Sequence, residues 1–422
     1  MQLQRRLAWF LTSVVTAVAL GPLPLAGPAA ADDCAGPGEQ IRQVPWSQQL
    51  LAPERAWQFS RGTGVTVAVL DSGVDATQPL LNGRVQAGGN VLAGKDPKGS
   101  VDCVGHGTQV AGIIAGQPTP DLAFHGVAPD VSILPIRVSE DPDTIGASNR
   151  SATPAQFASA ITTAVSAHAR VIDISGVLYT DDAAVRAAIS AAVAQNIVVV
   201  AAAGNHGGPN DPNPTPYPAA YPGVLGVGAI DQAGNRWANS QHGTYVGLVA
   251  PGGAVPATQR GSGLVTVDGT SIAAAFVSGA AALVIARWPH LTGPEVIRRL
   301  EATASPAPGT APSLEYGYGV VNPYAAVTEQ LSTPVPAPVA MPALTVPPVP
   351  AGQAAHEAAW ARSTRIAMIL AGVALVGVLV TAGAAVVIPR GRRRGWRSGT
   401  AAPPPDNPID LEPAPPVHLF DT

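Results

Sequence analysis

Residues 65–71, Val-Thr-Val-Ala-Val-Leu-Asp, decide the fold class. Gly64 and Gly73 bracket a short, apolar, β-branched run, the pattern of a strand covered on both faces. Asp71 stands at its carboxyl end, where open α/β sheets present ligands and catalytic groups. Comparable runs recur at 131–138, 171–175, 197–203 and 224–230. Between them lie helical patterns. One covers 104–116 with His106 at its head. Another runs over 154–168, with Pro154 at the start and Phe157, Ile161, Ala164 and Val165 on one face. A third covers 181–195, where Asp181 and Asp182 suit the positive end of a helix. Strand and helix alternate, which predicts an α/β fold: a mostly parallel central sheet between two helical layers. The Gly-, Asn-, Asp- and Lys-rich stretch 88–102 reads as loop, and the acidic and polar stretch 139–153 as a surface insertion. The proline-crowded segment 206–222 is expected to be ordered by restricted φ. No internal repeat is found.

Further along, residues 268–283, Asp-Gly-Thr-Ser-Ile-Ala-Ala-Ala-Phe-Val-Ser-Gly-Ala-Ala-Ala-Leu, set a serine at the turn into an alanine-rich helix that runs to about Arg287. A helix N-terminus offers unpaired N–H groups and partial positive charge, so Ser271 sits beside ready donors for a developing oxyanion. The Thr292-Gly-Pro-Glu295 turn starts the next helix.

The ends of the chain carry a different kind of information. Arg5-Arg6, an apolar run over 7–20 and Ala29-Ala30-Ala31 make the three parts of a secretory signal, with cleavage expected after Ala31. Residues 32–63 form an N-terminal extension, too short to fold as an independent pro-domain. From 331 to 360 proline-rich sequence predicts an extended spacer. The uncharged apolar run 366–388 is long enough, at about 1.5 Å per residue, to cross a hydrocarbon core of about 30 Å. Arg390, Arg392, Arg393, Arg394 and Arg397 follow it and place the tail, 389–422, in the cytoplasm. A single-pass cell-membrane protein is expected, with the domain at 64–330 outside the cytoplasm. Its two cysteines, Cys34 and Cys103, fall in the exported part, where pairing is expected and two free thiols are the alternative. With 422 residues, a net charge of −4 and a pI near 6.0, nothing calls for a nucleic-acid partner.

Peptide hydrolysis by a serine needs a nucleophile, a base, an acid that orients the base, and donors for the oxyanion. Ser271, His106 and Asp71 fill the first three roles. Asn205, closing a buried strand, could supply its side-chain amide beside the Ser271 N–H. Four blocks carry these residues: Leu70-Asp71-Ser-Gly-Val-Asp75, Gly105-His106-Gly-Thr-Gln-Val-Ala-Gly112, Ala203-Gly204-Asn205 and Gly269-Thr-Ser271-Ile-Ala-Ala-Ala-Phe-Val-Ser-Gly279. Together, and in the chain order Asp, His, Ser, they resemble the signature blocks of the subtilisin-like serine peptidases over about 44–327. The resemblance implies the three-layer subtilisin sandwich and a serine endopeptidase with those roles. It also implies that Ser175 and Gly176 offer backbone to an extended polypeptide substrate, read by strand addition.

The flanks resemble the mycosins, membrane-anchored subtilases of actinobacterial type VII secretion. This implies that exported proteins are the substrates and that secretion-complex subunits are partners. A structural subunit that steadies the secretion complex, with proteolysis secondary, is the alternative. Two departures stand out: Asp173 occupies a position where subtilases usually carry asparagine, and no cysteines remain for the second disulfide that mycosins commonly have. No cofactor is called for. His125, His168, His206, His242, His290, His356 and His418 lack metal-ligand spacing and read as surface or capping residues. No acidic loop has a calcium-binding pattern, which leaves open a structural calcium held by backbone carbonyls.

Overall fold

A computed structural model describes residues 34–331 apart from 93–95, 121, 141–143, 147 and 149. The expected signal peptide, nearly all of the spacer, the membrane span and the tail lie outside the described residues. In chain order the elements are α1 (Trp46–Leu51), β1 (Thr66–Asp71), β2 (Gly89–Asn90), α2 (His106–Ala115), β3 (Ser132–Arg137), α3 (Pro154–Ser166), β4 (Val171–Ile174) and α4 (Ala183–Ala194). They continue with β5 (Val198–Ala202), β6 (Val224–Ile230), β7 (Val246–Pro251), β8 (Val255–Thr258), β9 (Leu264–Val267), α5 (Thr270–Arg287), α6 (Gly293–Ala302) and α7 (Pro323–Thr328).

Strands β1 to β7 form one sheet in the order β2-β3-β1-β4-β5-β6-β7, and every neighbouring pair is parallel. Strands β8 and β9 make a separate antiparallel pair. The chain leaves β1 towards β3 on one side and returns as β4 on the other, so the carboxyl ends of β1 and β4 flank a switch in strand order. Residues 88–102, read from sequence as loop, contain β2, whose Gly89 and Asn90 pair with Ile136 and Arg137. Two residues hold too little pattern to announce a strand; β3 supplies the partner.

Side chains alternate across the sheet. Val67, Val69, Val171, Val198 and Val200 pack with α2 and α5, whereas Ala68, Leu70, Ile172, Ile174, Val199 and Ala201 pack with α3 and α4. The outer helices start where their caps dictate. Thr153 and Gln156 form a reciprocal capping box on α3, and Asp182 Oδ1 accepts from Ala184 N and Val185 N on α4. By contrast α5 is apolar all round and buried from Thr270 to Ile285, as a central core helix must be. Its length and composition would also suit a membrane span, but here the domain itself covers it.

Cys34 and Cys103 are bonded to each other. The bond closes a loop with a sequence separation of 69, worth about 4 kcal/mol on the chain-entropy model. Beyond it the extension runs along the domain: Glu39 exchanges backbone hydrogen bonds with Leu264 of β9, and Arg260 Nη1 donates to Ala35 O.

Candidate active site

Asp71 ends β1, His106 begins α2 and Ser271 lies in the first turn of α5. The structure brings all three together. His106 Nδ1 is 2.9 Å from both carboxylate oxygens of Asp71, and His106 Nε2 is 2.9 Å from Ser271 Oγ. A carboxylate only accepts, so Nδ1 carries a hydrogen and Nε2 is left to accept from the serine hydroxyl. The Asp71 side chain is 1% exposed and that of His106 14%, which leaves the imidazole open on the reacting side. Burial alone would push the Asp71 carboxyl up. The His106 charge and ring N–H, with the nearby Ser175 hydroxyl and the Ser72 amide, outweigh it and hold Asp71 below the usual carboxylate range.

Asp102, which sequence reasoning left without a role, fixes this geometry from behind. Its Oδ1 accepts from Ser72 Oγ at 2.9 Å and Gly105 N at 2.7 Å; its Oδ2 accepts from Thr108 N at 2.9 Å and Thr108 Oγ1 at 2.7 Å. Ser72 Oγ in turn accepts from Gly107 N at 2.9 Å. The residue after Asp71 and the residues flanking His106 are thereby tied to one carboxyl, next to the Cys103 disulfide. An acid just ahead of a helix start was the available signal.

Asn205 follows β5. Its Oδ1 accepts from Thr270 N at 3.0 Å and from Thr270 Oγ1 at 2.9 Å. A backbone N–H can only donate, so the oxygen must face Thr270 and the amide nitrogen the other way. That nitrogen borders the space over Gly269: a Cβ built there would lie 2.9 Å from Ser271 Oγ, 3.8 Å from Ser271 N and 3.9 Å from Asn205 Nδ2. Any larger residue at 269 would fill the volume on which the hydroxyl and two N–H donors converge.

Ser175 and Gly176 follow β4 next to this centre. The pairs Val69–Asp173 and Leu70–Ile174 set the β1–β4 register, and one step further brings Ser175 beside Asp71. Ser175 is 4% exposed. Its hydroxyl lies close enough to both Asp71 and Asp173 to act on their charge, yet forms no hydrogen bond of good geometry with either. Ile145, within the stretch 139–153 that reads from sequence as a surface insertion, packs onto this edge. Ile145 N donates to Val177 O at 2.9 Å, and Ile145 Cδ1 lies 2.7 Å from where a Gly176 Cβ would stand. An apolar residue in a polar stretch, facing a glycine, accounts for the difference. His125 is likewise drawn inward, its ring 4.7 Å from that of Trp57, and burial lowers its pKa.

Among the described residues no three His, Cys, Asp or Glu side chains converge as a metal site.

Residues 62–319 match the subtilase family. Mycosin-1 of Mycobacterium tuberculosis is 37% identical over 338 residues, spanning 69% of this chain and 75% of the relative. Mycosin-3 of the same organism is 38% identical over 402 residues, spanning 82% and 84%. Among solved structures, one described as that of "a serine protease MycP1, an essential component of the type VII (ESX-1) secretion system" is 35% identical. It superposes with a TM-score of 0.61 over 70% of this chain and 92% of that one. The sheet order, the site at its switch and these likenesses agree: the chain belongs to the subtilase family of serine endopeptidases, with the mycosins among its relatives.

Proposed function

We propose that this endopeptidase uses Ser271 as nucleophile, His106 as general base and then acid, and Asp71 to orient and stabilise the imidazolium. The observation that carries this reading is the unbroken hydrogen-bond line from Asp71 through His106 to Ser271 Oγ. Ser271 Oγ attacks the scissile carbonyl carbon while its proton passes to His106 Nε2. The oxyanion is received by Ser271 N and Asn205 Nδ2, donors fixed before the reaction begins, which is what makes them effective. His106 then gives its proton to the departing amine, and water repeats the sequence on the acyl-enzyme.

The substrate in this reading is an extended segment of an exported protein, laid along the backbone at Ser175 and Gly176. Three features of the sequence support a place outside the cytoplasm: the secretory signal at 1–31, the spacer from 331 to 360, and the apolar run 366–388 with its arginine-rich flank. The relatives' link to type VII secretion is extended here to this chain. Reaction of Ser271 with a fluorophosphonate probe tests the chemistry: labelling in wild type and none in Ser271→Ala is expected, and an unlabelled wild type overturns it.

The disulfide-pinned extension favours a second role as a structural subunit of a membrane complex. If secretion survives Ser271→Ala and fails only on deletion of the whole protein, that role dominates.

A further inference from the structure

Asp173 on β4 takes no part in the steps above, yet it is fully buried directly below them. Its Oδ1 meets Ser278 Oγ of α5 at 2.5 Å. Its Oδ2 is buried without a hydrogen-bond partner, as is Ser175 Oγ, two residues on along the same face of the strand. The titratable groups facing Asp173 are Asp71 from β1 and His106 from α2; β5 contributes Val200 and α5 contributes Ser278. An anion here would leave one oxygen unmatched in the core and set a second negative charge near Asp71, both costly. A carboxylic acid has an O–H to donate, which answers both difficulties.

We propose that Asp173 is a positioning residue of this peptidase that works as a neutral carboxylic acid, directing its O–H at Ser175 so that the Ser175 hydroxyl is turned on Asp71. The role rests on the Asp71–His106–Ser271 reading. Burial, reinforced by the Asp71 charge, pushes the Asp173 carboxyl up to about 7 despite the Ser278 hydroxyl, in keeping with a neutral acid below neutral pH. Above that range Asp173 ionises, Ser175 loses its donor, and His106 gains a second anion that holds its proton more tightly.

Asp173→Asn mimics the neutral acid at every pH, since the amide donates to Ser175 and accepts from Ser278. The first measurement is the melting temperature of variant and wild type against pH. Native Asp173 keeps a proton that the unfolded chain releases near 3.8, so the stability it contributes is whole below that value and is lost as pH rises towards about 7. The variant has no such loss. Its melting temperature minus that of wild type should therefore grow from about pH 4 to about pH 7 and then level off, all other carboxyls cancelling. A difference independent of pH overturns the neutral acid.

The second measurement is the rate of fluorophosphonate labelling at Ser271. The variant-to-wild-type ratio should rise about threefold or more between about pH 6 and pH 8; a constant ratio overturns the positioning role. A wild type that takes no label sinks the triad reading and the positioning role with it, while the melting curves still report the proton. Should Asp173→Asn not fold, Ser278→Ala removes a donor and must shift the descent in stability to higher pH than in wild type; an unshifted descent counts against the proposal.

Discussion

The two faces of the central sheet are built to different rules. Towards α3 and α4 the strands present Leu70, Ile172, Ile174, Val199 and Ala201 to Phe157, Ile161, Val185 and Ile189, with no charged group in the cluster. Towards α2 and α5 the same strands carry Asp71 and Asp173, and the helices bring His106, Ser271 and Ser278 against them. The first face can rely on large side chains and area removed from water. The second must hold polar groups at fixed distances, and α5 meets it with alanine, glycine and serine, small enough to bring the helix backbone close to the sheet. Both faces bury apolar side chains, but the polar groups of the site are confined to one of them.

That division can be broken deliberately. Asp71→Asn leaves the geometry nearly intact but favours the wrong imidazole tautomer, and should lower labelling of Ser271 about 10⁴-fold with little change in melting temperature. Asn205→Ala removes the proposed oxyanion donor and should slow the reaction about 10²- to 10³-fold, read as the labelling rate or as kcat on a cleaved peptide. Phe157→Ala strikes the opposite face, where the ring is fully buried. A loss of about 3–5 kcal/mol in denaturant unfolding is expected, with the labelling rate per folded molecule unchanged. If Phe157→Ala slowed labelling as much as Asn205→Ala, the two faces would not be separable.

The smallest effect sharpens the comparison at the rim of the α5 side. Glu301 of α6 is half-buried beside β7, and burial raises its carboxyl to about 7 against an ordinary 4.5. With its native pKa raised, its contribution to stability is present below 4.5 and lost as pH climbs towards 7. Glu301→Gln should thus melt above wild type at about pH 8 and show no such gain at about pH 4. Because Glu301 borders the edge strand β7, with β4, β5 and β6 between it and Asp71 on β1, the pH dependence of labelling should not follow this substitution as it follows Asp173→Asn.

Much of this was legible in the chain. The apolar runs ending at Asp71 and Ile230 and the helix opening at Thr270 follow from local pattern, and their bounds in the structure differ by a residue or two. The pairing of Cys34 with Cys103 is legible because these are the two cysteines of the chain. Less could be read where a contact creates the element. Strand β2 exists because Ile136 and Arg137 pair with it, β7 shifts register against β6 at Gly247, and Ile145 is drawn in from a polar stretch because it faces Gly176. Asp102 does not stand out in the sequence because a carboxylate ahead of a helix is common, and only the convergence of Ser72, Gly105 and Thr108 on it shows its work.

By itself the sequence determined which chemical groups the protein has and in what order they close strands and open helices, since those choices are made by neighbours along the chain. It also determined that a hydroxyl, an imidazole and a carboxylate were available for one reaction. Only the tertiary structure decided that Ser175 turns inward beside Asp71, that Asp173 is sealed beneath it, and that Ile145 covers Gly176. Those outcomes depend on the register of parallel strands and on how closely α5 approaches them, and both are settled by contacts between residues far apart in the chain.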